Sequence, residues 1–318
     1  MNSSASPVTP AQPSSGPHPI VWLRARGQQL GLVPTLGGSV AAWRADLPQG
    51  AVDLWRPWDG ETPDLYRLAY FAMVPWSNRI SGGGFTHDGR FHAMRPNRIG
   101  EPGPIHGDGW LQPWQLTQPD ADTLVMALAS HRFDGNPYEY EATQTFRLVD
   151  GGLDQTVTVR HLGAAPLPYG IGLHPWFPRD AATRLTAPVE GVWLSGADPL
   201  PTEHTRDFPP GWDLNMGISA HGDMIDNGYT GWGGTAMVEW PERGLRLTAT
   251  MPHFAQDGGA AGHYCLVYRP PFGPAFCFEP ITQPIDAFHL PGQPGLRVLA
   301  TGEAMTLAVQ WRFGPIAP

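Results

Sequence analysis

Glu279 stands inside "FCFEPI" (Phe276 to Ile281), where every neighbour is apolar. A carboxylate in such a strand is costly unless something compensates it. Other polar side chains sit in comparable settings. "PYGIGLHPWF" places His174 after an apolar strand and before a proline that should end regular pairing. "GPIHGDGW" sets His106 among glycines, where backbone can approach a ligand closely. "VPWSNRI" ends an aromatic-rich segment on Arg79, and "DMIDNGYTGW" puts Asp226 beside a turn and two aromatics. A carboxylate and a histidine are the ordinary means of moving protons, and Arg and Asp the ordinary means of holding a polar ligand.

Taken singly, each residue has a structural reading. A lone His is usually a satisfied structural group, and an Arg before a turn is usually a surface charge. Asp226 followed by Asn-Gly reads as a turn residue, and a mid-strand Glu as an edge-strand gatekeeper. Taken together, an acid, a base and polar orienting groups in a chain with 13 Trp describe a sugar site. Aromatic faces stack on pyranose C–H surfaces while carboxylates, His and Arg read hydroxyls.

Composition removes other chemistries. The net charge is −9 and all 20 basic residues are Arg. An acidic chain without a basic block is a poor match for nucleic acid or anionic membranes. Without lysine there is no Walker loop, pyridoxal Schiff base or lysine-dependent aldolase. G-x-S-x-G, G-x-G-x-x-G and H-E-x-x-H are all absent from the sequence. "SGGGF" (Ser81 to Phe85) reads as a turn or bulge rather than a phosphate loop. Cys265 and Cys277 are too few for a disulfide framework, show no zinc-site spacing with His, and read as small core residues.

The elements that must position these residues are strands. "DTLVMALAS", "ATQTFRLVD", "LDQTVTVRHL", "TAMVEW", "LRLTATM", "HYCLVYR" and "AMTLAVQWRF" alternate with period two and are rich in Val, Thr, Leu and aromatics. Asp150-Gly151-Gly152 and Pro241-Glu242-Arg243-Gly244 read as turns between successive strands. Asp64 to Met73, "DLYRLAYFAM", predicts a short helix. With 39 Gly and 36 Pro, turns should be many and long helices few. The expectation is an all-β chain folded as one large antiparallel sandwich or barrel over residues 19–318, after a disordered Pro/Ser-rich leader over residues 1–18. No apolar run reaches about 18 residues and the start lacks a signal peptide's regions, so the default expectation is a cytoplasmic protein.

Five segments resemble the aldose 1-epimerase (galactose mutarotase) family. They are "PWSNRISGGGFTHDGRFH", "PIHGDGWLQPW", "YGIGLHPWF", "IDNGYTGWGGTAMVEWPERGLRLT" and "FCFEPITQPIDAFH", in the family's order over roughly residues 70–290. The resemblance implies a large antiparallel β-sandwich of the mutarotase-like supersandwich type. It implies Glu279 as the general base at the anomeric hydroxyl and His174 as the general acid at the ring oxygen. Arg79, His106 and Asp226 would hold the ring, with Asn78 and Trp176 also on the substrate. Two departures touch the pocket wall and so the identity of the sugar. The lead into the Asn78-Arg79 pair is more aromatic than is common in the family, and Trp176 stands where many members carry Tyr.

The implied reaction opens a hemiacetal, turns the C1–C2 bond and recloses the ring, which needs one base and one acid and no metal or redox cofactor. The charged pair, Glu279 ionised and His174 protonated, should be mutually supporting if the two are close, with an Arg79 contact as further support for Glu279. The implied partner is a small-molecule aldose. Two alternatives stand beside it: a hexose 6-phosphate mutarotase, which would need cations such as Arg95 and Arg98 to converge on the phosphate, and a non-catalytic sugar-binding protein. Oligomeric state is not legible.

Overall fold

A computed structural model describes residues 17–48, 50–196, 198–252 and 263–316. Most of the leader expected over residues 1–18 lies outside these. Pro17 and His18 fall inside, and His18 Nδ1 stands 3.2 Å from Thr35 Oγ1.

The regular structure of the described residues is β-strand, and their only helical segments are 3₁₀ turns. The alternating segments form antiparallel sheets as expected. Thr123–His131, Glu139–Val149, Gly152–His161 and Ala304–Pro315 lie side by side in a nine-stranded sheet that also holds Thr235–Trp240 and Leu245–Thr250. The first hairpin turn is tighter than expected. Val149 pairs with Gly152, which leaves Asp150-Gly151 as the turn.

The second sheet has eleven strands. Its middle runs Ser39–Leu47, Tyr70–Met73, Gly172–Pro178, Ala275–Ile281, His263–Arg269, Ile225–Trp232. The two sheets share one hydrophobic core, so the fold is a large antiparallel β-sandwich. Trp55 of the eleven-stranded sheet meets Trp311 of the nine-stranded sheet edge-to-face, with centroids 5.5 Å apart. The Tyr70 hydroxyl donates across the core to Gln144 at 3.0 Å.

Period two decides what faces outward. On Ala275–Ile281, Phe276 and Phe278 enter the shared core, while Cys277 and Ile281 belong to separate clusters on the other face. Glu279 shares that outer face with them. Tyr70 and Ala72 likewise point in, and Phe71 and Met73 point out. Loops cover the outer face here, so all seven residues of Ala275–Ile281 are buried. The strand therefore reads as continuously apolar although only one of its faces meets the sandwich core.

The helix expected over Asp64 to Met73 is a single 3₁₀ turn, Leu65–Arg67, capped by Asp64 through the Tyr66 N–H. Beyond it the chain enters the strand Tyr70–Met73. Its apolar residues serve two faces of a buried sheet rather than one stripe of a helix.

Candidate functional site

The strands Gly172–Pro178 and Ala275–Ile281 are antiparallel neighbours, registered at Gly172–Ile281 and Trp176–Cys277. That register sets His174 opposite Glu279. His174 Nε2 stands 3.4 Å from Glu279 Oε1. Pro175 does not end the strand. It lies opposite Tyr70 on the neighbouring strand, while on the Glu279 side regular pairing is interrupted between the two registered pairs, as expected beside a residue without an N–H. Glu279 is central in its sheet rather than on an edge.

Both side chains are almost wholly buried, yet His174 Nδ1 and Glu279 Oε2 find no hydrogen-bond partner among the described residues. Buried polar atoms are normally satisfied. These two line a cavity of about 270 Å³. Burial pushes Glu279 well above the usual carboxylate range and His174 down to about 3. Both directions favour the neutral forms, so desolvation outweighs the mutual support expected of a charged pair. Asp226 raises Glu279 further and Arg79 opposes it.

The remaining groups arrive on two loops tied together by backbone. His106 N–H donates to the Asn78 carbonyl at 2.9 Å, and the Asn78 N–H donates back to His106 Nδ1 at 3.2 Å. Nδ1 is thus an acceptor, and the proton of the neutral ring sits on Nε2, whose N–H can serve a ligand. Burial, with the His174 ring and the Arg79 and Arg98 guanidinium groups nearby, holds His106 well below its ordinary pKa. Asn78 and His106 both take positive φ, 55° and 59°. Asn97 clamps the His106 loop, accepting from the Ile105 N–H and donating to the Ile105 and Gly107 carbonyls.

Arg79 is bidentate to Glu101, at 2.8 and 3.1 Å, and its Nη1 lies 3.6 Å from Asp226 Oδ2. Its ion pairs are with these two acids, not the expected Glu279. Asp226 lies in the strand Ile225–Trp232 instead of a turn. The following Asn227 is satisfied by that placement: its Oδ1 accepts from the Asp226 N–H and its Nδ2 donates to the Trp193 carbonyl.

Arg79, His106, His174, Asp226, Glu279, Asn78 and Trp176 all line the same cavity. Trp176 lies tilted against the His174 ring at 5.5 Å, and its indole N–H finds no partner among the described residues. Arg56, absent from the sequence reading, stacks over the Trp176 ring at 4.2 Å and donates to the Tyr66 and Leu68 carbonyls. Glu101, Tyr66 and Tyr268 also line the cavity and were not legible from sequence. Glu101 stands five residues before His106 in a Gly/Pro-rich loop where a surface charge is the default. Of the two arginines weighed for a phosphate, Arg98 lines the cavity and stacks on Tyr66 at 3.7 Å, while Arg95 lies outside it near Asp134.

The comparisons agree with this architecture. The model of the family described as Aldose 1-epimerase matches residues 28–310. The uncharacterized protein YphB of Escherichia coli K12 is 33% identical over 252 residues, covering 76% of this chain and 83% of that protein. A crystal structure from E. coli K12, provisionally assigned as an aldose 1-epimerase, superposes with a TM-score of 0.85 at 28% identity over 93% of this chain and 99% of that one. The galactose 1-epimerase of Lactobacillus acidophilus NCFM superposes at 0.74 with 13% identity, covering 97% and 98% of the two chains, and shows likeness of fold alone. With its sandwich, its ordered motifs and a family match over most of its length, the chain belongs to the aldose 1-epimerase family.

Proposed function

We propose that this chain is a mutarotase, interconverting the α and β anomers of a free aldose by general acid–base catalysis. The observation that carries the reading is the His174–Glu279 pair at 3.4 Å, with one unpartnered atom on each side chain. Pure sugar binding has no need of two proton-transfer groups in contact, so the non-catalytic alternative is disfavoured. Glu279 takes the proton of the anomeric hydroxyl as the C1–ring-oxygen bond opens, and His174 delivers a proton to the ring oxygen. Half a turn about C1–C2 and the reverse transfers give the other anomer.

Glu279 protonated with His174 neutral holds the same number of protons as carboxylate with imidazolium. One proton moved within the pair reaches the working form. A sugar hydroxyl donating to Glu279 favours that move, because a hydrogen bond to the charged form stabilises it. Each positioned group can contribute roughly 10²–10⁴-fold. The neutral His106 donates through Nε2–H, while Arg79, Asp226 and Asn78 hold hydroxyls and Trp176 supplies an apolar wall. Arg95 outside the cavity favours a free sugar over a hexose 6-phosphate, since a phosphate calls for converging cations.

The test is anomer exchange by proton NMR across a panel of free aldoses and a hexose 6-phosphate, corrected for spontaneous mutarotation. Catalysed exchange of at least one free aldose is expected. Exchange of only the 6-phosphate would replace the substrate, and no exchange at all would refute catalysis.

A further inference from the structure

Cys277 has no part in the reaction proposed above, yet it lies on the face of the strand that carries Glu279, two residues away. It packs beside Trp176, with Tyr66 and Tyr268 around it. Its Sγ, one ring nitrogen of His174 and one carboxylate oxygen of Glu279 all lie within 4.8 Å of one another. We propose that His174, Cys277 and Glu279 form a binding site for a thiophilic divalent cation, Zn²⁺ or Cd²⁺, whose uptake blocks the pocket.

The donor set is one thiol, one imidazole and one carboxylate, which suits borderline-soft ions and discriminates against Mg²⁺ and Ca²⁺. Zinc bonds of about 2.0–2.3 Å place adjacent ligands of a tetrahedron roughly 3.3–3.8 Å apart. His174 Nε2 and Glu279 Oε1 already stand at 3.4 Å. The other separations, 4.8 Å at most, must close by no more than about 1–1.5 Å, a side-chain adjustment for Cys277. The unpartnered His174 Nδ1 and Glu279 Oε2 show that this pair is not spent on the rest of the protein.

Charge also favours the ion. Binding expels the thiol proton, and any proton on Glu279, to solvent. A cation of charge +2 then faces one thiolate, one carboxylate and a neutral imidazole, so the filled site is neutral and burial does not oppose it. Three protein ligands leave the fourth tetrahedral position to water from the cavity that His174 and Glu279 line. The ligands come from strands far apart in sequence, which is why no Cys/His spacing announces them.

The blocking effect rests on the mutarotase reading, because the ion would occupy both proton-transfer groups. Binding itself does not. Tag-free, metal-stripped full-length chain is titrated with CdCl₂ while the ultraviolet thiolate-to-Cd²⁺ charge-transfer band is recorded without sugar. Saturation at one Cd²⁺ per chain is expected in the wild type and in Cys265→Ala, whose site lies in the inner core. The band should vanish in Cys277→Ala, with Cys277→Ser as the substitute if the alanine variant does not fold. His174→Asn and Glu279→Gln should each weaken the titration by about tenfold or more.

In NMR exchange, Cd²⁺ should slow the wild type in competition with sugar, a chelator should restore it, and Cys277→Ala should keep basal exchange in the presence of Cd²⁺. No saturable band, or a band that survives both Cys277 variants, overturns the site. Wild-type exchange that is unmoved at saturating Cd²⁺ overturns the blocking. If no sugar exchanges at all, the catalytic reading fails while the band still decides the metal site.

Discussion

In the proposed mechanism Glu279 and His174 act as one unit, because a base without its acid leaves an open-chain sugar alkoxide with no proton source. Glu279→Gln and His174→Asn should each lower catalysed anomer exchange by at least about 10²-fold. The double variant should be little slower than either single one. Polarimetric rates near wild type in either folded single variant would remove that residue from the mechanism. Arg79 works differently, as a planar fork that spans Glu101 and reaches Asp226. Arg79→Lys keeps the charge and loses the fork. KM should rise about tenfold, roughly the 1.4 kcal/mol of one hydrogen bond to a charged group, with a smaller change in kcat. A kcat loss as deep as that of Glu279→Gln would place Arg79 in the chemistry itself. Glu279, His174, Arg79, His106 and Asp226 were legible as site candidates because each is a polar residue where its neighbours predict none, and all five line one cavity. Glu101, Tyr66 and Cys277 were not legible, since an acid in a loop, a Tyr near strands and a Cys in an apolar run all match their surroundings. Only folding shows that Glu101 and Tyr66 line the cavity and that Cys277 lies within 4.8 Å of its His174 and Glu279.

The loops that hold His106 and Asn78 depend on one close approach of backbone to backbone. Gly107 has φ +72°, and a Cβ there would stand 1.9 Å from the Val74 carbonyl oxygen. That oxygen accepts from the Asp108 and Gly109 N–H groups. Neither partner is a flexible side chain, so Gly107→Ala must shift the loop. A loss of about 3 kcal/mol in unfolding free energy is expected, together with a raised KM as His106 moves. Denaturant titration and NMR exchange on the same preparation check both, and an unchanged midpoint would show that the loop accommodates the methyl. Most strands were legible for a related reason: the nine-stranded sheet alternates cleanly between core and solvent, as in Glu139–Val149. The site-bearing strands were harder, because loops bury their second face and erase the alternation. Leu65–Arg67 and Tyr70–Met73 looked helical for the same cause, and the Asn227-Gly228 pair looked like a turn although neighbouring strands satisfy it.

At the scale of the molecule, the site is built on the outside of one sheet and anchored to the other. Asp108, two residues past His106, accepts from Tyr140 and Asn136 and from Gln112 at 3.1 Å, and Gln112 also donates to Ser130. Tyr140 and Ser130 belong to the nine-stranded sheet. The carboxyl is buried, and that burial raises its pKa from 3.8 to about 6 against the pull of these donors. Between about pH 4 and pH 6 the folded chain therefore holds a proton on Asp108 that the unfolded chain has lost. By linkage this contribution to stability is greatest below the unfolded value, falls as pH rises through the window, and is gone above the folded value. Its size is on the order of 3 kcal/mol for a shift of about two pK units. Other carboxylates titrate in the same range, so the useful quantity is a difference between variants. Asp108→Asn keeps a neutral, nearly isosteric group that can still accept from Tyr140, although its amide meets that of Asn136. It should be less stable than wild type at pH 4, by one lost hydrogen bond, and should gain on wild type steadily up to pH 7. Guanidinium unfolding of both chains at several pH values measures that gap. A gap that stays constant from pH 4 to pH 7 would show that Asp108 holds no more proton in the fold than in the unfolded chain, and so that burial does not raise its pKa.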